Sequence, residues 1–360
     1  FNDVHVPVEN LLYEREQGFK IAVNILNIGR IKLGGAVLGA AKDACTHSTR
    51  YANEREQFGR PISKYGAIRY KLAESAIRLY TCESAIYRAT QNIDDAIAAL
   101  KADGMDHGDA TLKGIADFAP ECAMMKVLGS EVLDYCVDEA VQIHGGMGYS
   151  AETRAELAYR DARINRIFEG TNEINRMLTV DMILKKAMKG EMDLMTPAMA
   201  VANELTGVPD FAAPSSDLFE RHLGYVANLK KAILLVAGGA VQKLMMSLAK
   251  EQEILMNIAD MAIWTYTIES TVLRVQKLMQ QKGGTDDLAV QLAIMNVYTY
   301  EASEWIHSAG KEALLSFAEG DELKMMLMGM KRFCKTEDIN PKEARQLIAA
   351  DLIEKNGYTL

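Results

Sequence analysis

Glu169 lies in a setting that could make it a catalytic base. It stands between the bulky Phe168 and Gly170, and the residues from Thr171 to Arg176 read as the start of a helix with a polar cap. A carboxylate beside a large apolar side chain can be partly desolvated, and desolvation raises a carboxyl pKa and makes the group a stronger base. From the residues alone, the alternative is an ordinary loop acid that caps the helix.

Two earlier segments have unusual composition for a chain that is otherwise rich in apolar residues. Residues 55–62 read Arg-Glu-Gln-Phe-Gly-Arg-Pro-Ile, and residues 142–149 read Gln-Ile-His-Gly-Gly-Met-Gly-Tyr. The second segment offers backbone N–H groups without side-chain bulk, which suits a nucleotide. A Gly-Gly pair more often simply ends a helix, so this turn alone is a weak signal.

Together the three segments resemble the flavin-dependent acyl-CoA dehydrogenases. Residues 166–173, Arg-Ile-Phe-Glu-Gly-Thr-Asn-Glu, resemble the catalytic-base segment of that family. Residues 55–62 resemble its flavin-contacting loop, and residues 142–149 resemble its glycine-rich flavin turn. The segments occur in the family's order and at its spacing, and the resemblance covers residues 1 to about 188.

The resemblance implies a reaction and a role for Glu169. In that family a base removes a proton from the α carbon of an acyl-CoA thioester, and the β carbon passes a hydride to flavin N5. Glu169 matches the base, and its backbone N–H matches a donor to the thioester oxygen, where negative charge develops. Some family members carry the base on the first long helix of this domain. The matching position here is Gly29, so Glu169 is the candidate base at either known site.

The resemblance also implies substrate contacts. Asn27 and Arg30 match the CoA-facing positions of the family, and a guanidinium pairs well with carbonyls and phosphates. The alternative for Arg30 is a surface ion pair. Gly170 would let the thioester approach the backbone closely.

The implied cofactor is FAD. Arg55 would contact the pyrophosphate of the neighbouring subunit's FAD, with help from Gln57 and Phe58. His144 departs from the family pattern, which often has an apolar residue there, and its alternative role is a buried, hydrogen-bonded histidine. The remaining positions that match flavin contacts are Tyr65, Gly66, Gln142, Ile143, Gly145, Gly146, Thr171, Asn172 and Glu173.

Composition excludes several classes of protein. The chain has 360 residues and a net charge of -9, so it lacks the basic surface expected of a nucleic-acid-binding protein. Its five cysteines are scattered and include no CxxC pair, and its histidines show no HExxH pairing. We therefore expect core thiols in a reducing compartment and no metal site.

Apolar periodicity predicts an all-α fold. Helical stripes from Phe19 to Tyr51, from Ile68 to Ile86, from Ala110 to Leu128 and from Val132 to Val141 predict an antiparallel four-helix bundle over residues 18–188. Within residues 1–17, Val4, Val6 and Val8 alternate with polar or small residues, which is typical of a strand. In the resembled family that stretch closes a middle β-domain, so the chain is expected to be a fragment.

The rest of the chain predicts a second helical domain. Residues 189–216 are expected to be a linker because they contain Gly190, Pro197, Gly207, Pro209 and Pro214. Residues 217–360 form a helical, bundle-like extension that has no counterpart of the Glu169 segment. Within the resembled family such an extension is typical of the very-long-chain branch, which implies a homodimer.

The resemblance therefore implies a fragment of a long-chain or very-long-chain acyl-CoA dehydrogenase of fatty-acid β-oxidation. The fragment alone is expected to be colourless and inactive. An electron-transfer flavoprotein would accept the electrons. The alternatives are an acyl-CoA oxidase-like enzyme and a non-catalytic helical interaction module. The expected location is cytoplasmic. The Met-rich segment from Leu323 to Met330, beside Lys331 and Arg332, suggests either a packing helix or peripheral contact with a membrane.

Overall fold

The computed structural model describes residues 1–207 and 215–360, and within these ranges the chain is almost entirely helical. The first half contains α1 (Gly18–Glu54), α2 (Gly66–Ala102), α3 (His107–Asp117), α4 (Ala119–His144), α5 (Arg154–Ala162) and α6 (Asn172–Met188). The second half contains α7 (Met195–Thr206), α8 (Leu218–Leu244), α9 (Gln252–Lys282), α10 (Ala289–Phe317), α11 (Gly320–Phe333) and α12 (Pro341–Lys355). Two short strands, β1 (Glu56–Gln57) and β2 (Arg60–Pro61), form a hairpin between α1 and α2. Short 3-10 turns cover Val8–Asn10, Ile62–Lys64, Gly145–Tyr149, Arg163–Arg166, Met245–Lys250 and Asp286–Leu288.

Helices α1, α2, α4 and α6 form an antiparallel four-helix bundle, as predicted for this region, although α6 was not among the four helices predicted to form it. The end of α2, at Ile93, packs with Ile31 near the start of α1 and with Cys122 near the start of α4. Helix α6 begins beside Ser130 of α4 and ends where Lys186 reaches the carbonyl of Asp117. The chain therefore runs up along α1, down along α2, up along α4 and down along α6.

The predicted boundary between the third and fourth helices is wrong. The sequence indicated one helix from Ala110 to Leu128 and another from Val132, but α4 runs without a break from Ala119 to His144. The break falls at Phe118, whose φ of -107° and ψ of 22° are not helical. Pro120 explains this position, because proline lacks an N–H and is best tolerated in the first turn of a helix.

A close contact between glycines sets the spacing of α1 and α4. A Cβ atom at Gly34 would come 2.8 Å from the carbonyl oxygen of Met125, and one at Gly129 would come 3.0 Å from Gly34 Cα. The neighbouring Gly35 is exposed, and a Cβ there would meet nothing within 4 Å. Gly34 therefore allows the close approach of α1 and α4, whereas Gly35 faces solvent.

We expect Gly34→Ala to lower the free energy of unfolding by about 1–3 kcal/mol, because the added methyl group must push two backbones apart. Gly35→Ala is the matched control, since alanine in an exposed helical position is favoured over glycine by up to about 1 kcal/mol. Urea unfolding of both variants measures the difference. Equal free energies of unfolding for the two variants would show that the close α1–α4 contact does not restrict the side chain at residue 34.

Residues 1–17 do not form the predicted strand. Val4, Val6 and Val8 are all exposed, and in this part of the described chain the only regular element is the 3-10 turn Val8–Asn10. A strand needs a hydrogen-bonded neighbour, and none of the described residues supplies one to these valines. The sequence alternates as a strand does, but no strand among the described residues pairs with this segment.

The predicted linker over residues 189–216 is partly wrong. Gly190, with a φ of 73°, ends α6 as expected, but α7 then occupies Met195–Thr206. Asp193 accepts a hydrogen bond from the N–H of Thr196 at the start of α7, and Val201 is buried. Pro197 misled the interpretation, because proline in the first turn is compatible with a helix. Pro209 and Pro214 lie outside the described residues.

The extension shares a core with the first bundle. Leu72, Ala76 and Tyr80 of α2 belong to the same buried cluster as Ile258 of α9 and Ile294 of α10. Ion pairs also cross between the two halves of the chain: Arg345–Glu74, Arg176–Asp260, Arg88–Glu269 and Arg274–Glu83. Helix α2 is therefore packed between the rest of the bundle and the extension.

Two helices, over Ile21–Glu54 and Leu218–Lys250, are long and apolar enough to cross a membrane by length and composition. A core helix of a globular protein passes the same test. The first packs along α4, and the second buries residues including Val226, Leu229 and Val236 against the extension.

The Met-rich helix α11 also packs inward through Met326 and Met330, while Met328 is exposed. The packing-helix interpretation of that segment is therefore confirmed for its buried face.

Candidate active site

Glu169 lies in the short loop before α6, and the predicted polar cap of that helix is confirmed. Thr171 is the cap, since its Oγ1 accepts a hydrogen bond from the N–H of Ile174 at 3.3 Å. The alternative in which Glu169 itself caps the helix is therefore wrong. Glu169 and Gly170 both have left-handed backbone conformations, with φ of 60° and 82°. Such a conformation is unfavourable for a residue with a side chain, so the surrounding contacts must stabilise it.

The carboxylate of Glu169 occupies the space beside Gly29 of α1. A Cβ atom at Gly29 would lie 2.7 Å from Glu169 Oε2 and 2.9 Å from its Cδ. The Oε2 atom is buried and has no hydrogen-bond partner within the described part of the protein. The two positions that the resemblance offered for a base therefore share one space, and Glu169 fills it.

Three side chains hold the carbonyl groups of the Glu169 loop. Arg30 Nε donates to the carbonyl of Glu169 at 3.3 Å, and Lys126 Nζ donates to the carbonyl of Gly170 at 2.8 Å. Asn175 Nδ2 lies 3.3 Å, 2.8 Å and 3.0 Å from the carbonyl oxygens of residues 169, 170 and 171. We call these three residues the carbonyl clamp. The N–H of Glu169, by contrast, donates to no acceptor among the residues described.

Asn27 and Arg30 lie beside this loop but are turned inward. Both are buried, and Arg30 Nη1 donates to Asn27 Oδ1 at 3.1 Å. Burial lowers the pKa of Arg30, partly offset by the charge of Glu169. The alternative of a surface ion pair for Arg30 is wrong. Contact of the two residues with CoA stays a prediction.

The other two predicted segments meet in one groove of about 730 Å³. The hairpin side contributes Arg55, Gln57, Phe58, Ile62, Tyr65 and Ile68, and the glycine turn contributes Ile143, His144, Gly145, Gly146 and Met147. Tyr51 of α1, which the sequence did not single out, lies between them. The structure thus brings together residues that are about 80–90 positions apart in the chain and that the resemblance assigned to one cofactor.

The hairpin that carries Arg55 projects from the bundle. Phe58 and Gly59 form its two-residue turn, and both have positive φ, as in a type I′ turn. Tyr65 supports the turn by donating to the carbonyl of Gln57 at 2.8 Å, and the guanidinium of Arg60 lies over the Tyr65 ring. Phe58 is 92% exposed at the tip, so it is free to contact another molecule.

His144 is hydrogen-bonded and half-buried, as expected of a histidine with a structural role. Its Nδ1 lies 2.7 Å from the carbonyl of Ala140, and its half-buried ring stacks on Tyr51 with 4.2 Å between ring centroids. Burial lowers the pKa of His144, which favours the neutral ring. The ring lines the groove as a flat surface.

Several predicted cofactor residues do not line this groove. Thr171, Asn172 and Glu173 start α6 beside the Glu169 loop, and Gly66 and Gln142 lie outside the groove lining. The Asn172 side chain is buried and bonded to Lys126, Ser130 and Glu131. It therefore supports the loop from inside instead of facing the groove.

Sequence reasoning missed Lys126 and Asn175. Lys126 lies within an apolar stretch of α4 and is fully buried, and Asn175 is buried in the first turn of α6. A lysine among apolar residues was the one available signal, because lysine is rarely buried without a specific role.

Similarity to known proteins agrees with this geometry. Two family models, both described as acyl-CoA dehydrogenase, C-terminal domain, match residues 16–184 and 228–332. A probable acyl-CoA dehydrogenase of Bacillus subtilis (strain 168) is 41% identical over the whole chain, which spans 60% of that protein. The very long-chain specific acyl-CoA dehydrogenase of Rattus norvegicus is 36% identical over 64% of this chain and 32% of its own length.

A solved structure has the same fold. The acyl-CoA dehydrogenase of Bacillus anthracis, crystallised as a complex with FAD, is 42% identical and superposes with a TM-score of 0.93 over 99% of this chain and 60% of its own. The chain thus spans about 60% of the length of these two bacterial relatives. Because two models of this family's C-terminal domain together match most of the chain, and both bacterial relatives resemble it along its length, this chain belongs to the acyl-CoA dehydrogenase family.

Proposed function

We propose that this chain provides the catalytic base and part of the FAD site of an enzyme that dehydrogenates acyl-CoA thioesters between the α and β carbons. The observation that carries the proposal is the position of Glu169. Its Oε2 is buried, has no hydrogen-bond partner among the described residues and lies beside Gly29. A carboxylate kept free of partners in a loop of strained backbone is better suited to chemistry than to stabilising the fold.

In the proposed reaction Glu169 takes the α proton on its carboxylate. The backbone N–H of Glu169, which has no acceptor among the described residues, donates to the thioester oxygen as negative charge develops there. The carbonyl clamp holds the peptide units that follow Glu169 and so fixes the loop on one side of this N–H. FAD, when bound, accepts the hydride from the β carbon.

The groove between the hairpin and the glycine turn fits part of an FAD molecule. Side chains at Gly145 and Gly146 would meet nothing within 4 Å, so their bare backbone is open to a ligand. Arg55 makes no ion pair within the described residues, which leaves its guanidinium available for a pyrophosphate. Tyr51, Ile62 and Ile143 supply apolar walls.

One chain cannot place both parts of the site around one FAD molecule. Gly29, beside Glu169, and Tyr51, in the groove, are on the same continuous helix α1. At 1.5 Å of rise per residue they are about 33 Å apart, more than an FAD molecule spans. We therefore propose a homodimer in which the Arg55 groove of one subunit completes the site that contains Glu169 of the other.

Mixing two inactive variants tests this arrangement. In a mixed dimer of Glu169→Gln and Arg55→Ala chains, one site carries both defects and the other carries neither. Random pairing should therefore restore about a quarter of the wild-type activity. The assay is dehydrogenation with an artificial electron acceptor after the full-length variants are unfolded together and refolded. Activity no higher than that of the separate variants would contradict the shared site.

We further propose a long-chain or very-long-chain acyl-CoA as the substrate, within fatty-acid β-oxidation. Similarity to the rat enzyme supports this class. So does a row of exposed apolar side chains on α1, Phe19, Val23 and Leu26, that leads along the helix to Gly29. Because the chain spans about 60% of its bacterial relatives and carries only part of the proposed flavin site, we expect the 360-residue chain alone to be colourless and inactive, whereas a stoichiometric yellow preparation would contradict this.

The proposed electron acceptor is an electron-transfer flavoprotein. The second candidate is an oxidase-like enzyme, in which oxygen takes the electrons, and it shares the same base and cofactor. Anaerobic reduction by substrate followed by exposure to air separates the two, because only an oxidase is reoxidised within seconds. A non-catalytic module is disfavoured, since it has no need of a free carboxylate beside Gly29.

We also propose a cytoplasmic location, with peripheral membrane contact through exposed methionines of the extension such as Met328. Flotation of the chain with anionic liposomes tests the contact, and Met328→Lys is the variant expected to weaken it. Recovery of all the protein in the lipid-free fraction would exclude the contact.

A further inference from the structure

We infer that Lys126 is a positioning residue for Glu169: its buried ammonium group holds the Gly170 carbonyl and thereby keeps the carboxylate beside Gly29. The inference rests on the proposed function, in which Glu169 is the base. It assigns a role to a residue that none of the three sequence motifs contains.

The surroundings of Lys126 point to this role. Its side chain is fully buried, and Nζ donates to the carbonyl of Gly170 at 2.8 Å and to Oδ1 of Asn172 at 2.7 Å. No carboxylate oxygen within the described residues lies within 4 Å of Nζ. A buried charge without an ion pair is costly, and an apolar side chain of similar size would fill the same space. The ammonium group is therefore retained for what it binds.

The groups that Lys126 binds determine the shape of the loop. Glu169 and Gly170 are consecutive residues in the left-handed region, and Asn172 opens α6 just beyond them. A charge-assisted hydrogen bond to the Gly170 carbonyl fixes the rotation of the next peptide unit, and the bond to Asn172 ties that unit to the helix. Arg30 holds the preceding carbonyl of Glu169, and the uncharged amide of Asn175 lies within hydrogen-bond distance of both carbonyls. Without Lys126 the loop can relax to a less strained backbone, which would carry the carboxylate away from Gly29.

The charge on Lys126 should be lost within an accessible pH range. Burial lowers its pKa to about 8, while Glu131, Glu173 and Glu169 act to raise it and Arg30 acts to lower it. Above that pH the neutral amine still donates, but its hydrogen bonds lose the contribution of the charge. We therefore expect the wild-type turnover rate to fall on the alkaline side with a midpoint near pH 8.

The same shift has a consequence for stability that does not depend on activity. An unfolded lysine titrates at its ordinary pKa of 10.5, so between about pH 8 and 10.5 the unfolded chain binds more protons than the folded chain. Above pH 10.5 the lysine is neutral in both the folded and the unfolded chain, so its titration costs the folded state nothing. As pH falls from 10.5 through 8, the unfolded chain takes up the proton first and the free energy of unfolding decreases. The melting temperature of the wild type should therefore rise, relative to that of Lys126→Met, as pH rises through this window.

The deciding experiment compares wild type, Lys126→Met and Lys113→Met in the full-length protein. Lys113 is an exposed lysine that pairs with Asp117 on its own helix, so its variant controls for loss of a positive charge. We expect Lys126→Met to lower kcat by about 10- to 100-fold with KM for acyl-CoA changed less than about threefold, and to abolish the alkaline limb near pH 8. Its crystal structure should show Glu169 out of the left-handed region.

A folded Lys126→Met protein with near-wild-type kcat, or with an unchanged alkaline limb and Glu169 still beside Gly29, would overturn the inference. If methionine prevents folding, Lys126→Gln keeps a neutral donor, and the same criteria apply to it. Failure of the proposed function is seen separately. An active Glu169→Gln variant would refute the base whatever Lys126 does, whereas an inactive one beside a wild-type-like Lys126→Met would refute only the role of Lys126.

Discussion

Replacing Glu169 by glutamine should lower the rate of acyl-CoA dehydrogenation by roughly 10³-fold or more, while FAD stays bound. Glutamine keeps the size and polarity of the side chain but cannot accept a proton at neutral pH. Because the carbonyl clamp bonds to the backbone of residues 169–171, the substitution leaves the loop in place. Steady-state turnover with an artificial acceptor, together with the flavin spectrum, measures both effects in the full-length protein.

Glu156→Gln is the matched control for this substitution. The Glu156 carboxylate pairs with Arg160 on the same short helix, so its loss should change turnover by less than about twofold. Comparable losses in the two variants would point to a general effect of removing a carboxylate from this region. Substantial turnover by Glu169→Gln would mean that another group removes the α proton.

Moving the carboxylate to the other side of the same space should restore activity. Glu169→Gly alone is expected to be inactive, and the double variant Gly29→Glu, Glu169→Gly should be at least about 10-fold more active than it. The reason is geometric, since the space at Gly29 is the space that the Glu169 carboxylate now fills. Gly29→Glu with Glu169 still present should lose activity, because two carboxylates would compete for one small volume.

The relocation has a control on the same helix. Gly35→Glu, Glu169→Gly places a carboxylate on an exposed position of α1, where a side chain meets no neighbour and cannot reach the loop. This variant should remain as inactive as Glu169→Gly. Equal activity of the two double variants would show that recovery of activity does not require the carboxylate on α1 to lie close to residue 169.

Local patterns in the sequence predicted much of the fold. The long helices α1 and α2, the polar cap of α6 at Thr171 and the turn that ends α4 at Gly145 all follow from signals within a few residues. The errors have local causes as well. Pro197 was interpreted as part of a linker although it lies in the first turn of α7, whereas a helix was predicted to run through Pro120, which lies in the first turn of α4.

The arrangement of the site could be predicted only in part. The segment around Glu169 indicated a base, but its contact with Gly29 joins residues 140 positions apart and depends on how α1 packs against the α6 loop. The groove shared by the hairpin and the glycine turn was expected from resemblance, not from any pattern in the residues. Lys126 was missed because a single lysine in an apolar helix is usually interpreted as reaching out to solvent.

The predicted boundary between the bundle and the extension does not separate two independent cores. Its composition predicted a separate bundle, yet Arg345 of α12 pairs with the buried Glu74 of α2, and Ile348 belongs to the core cluster that contains Leu72. Helix α2 could not reveal this from its own pattern, because a helix buried on several sides has no clear polar face. The bundle and the extension are therefore expected to unfold together.

The most direct test of the central claim is the exchange of α hydrogens with solvent. In an acyl-CoA analogue whose β carbon is replaced by sulfur, no hydride can leave, so the proton step can be followed alone by NMR in D2O. The wild-type protein should exchange the α hydrogens of the bound analogue, and Glu169→Gln should do so at least about 10³-fold more slowly. Exchange at the same rate in both proteins would show that Glu169 is not the base.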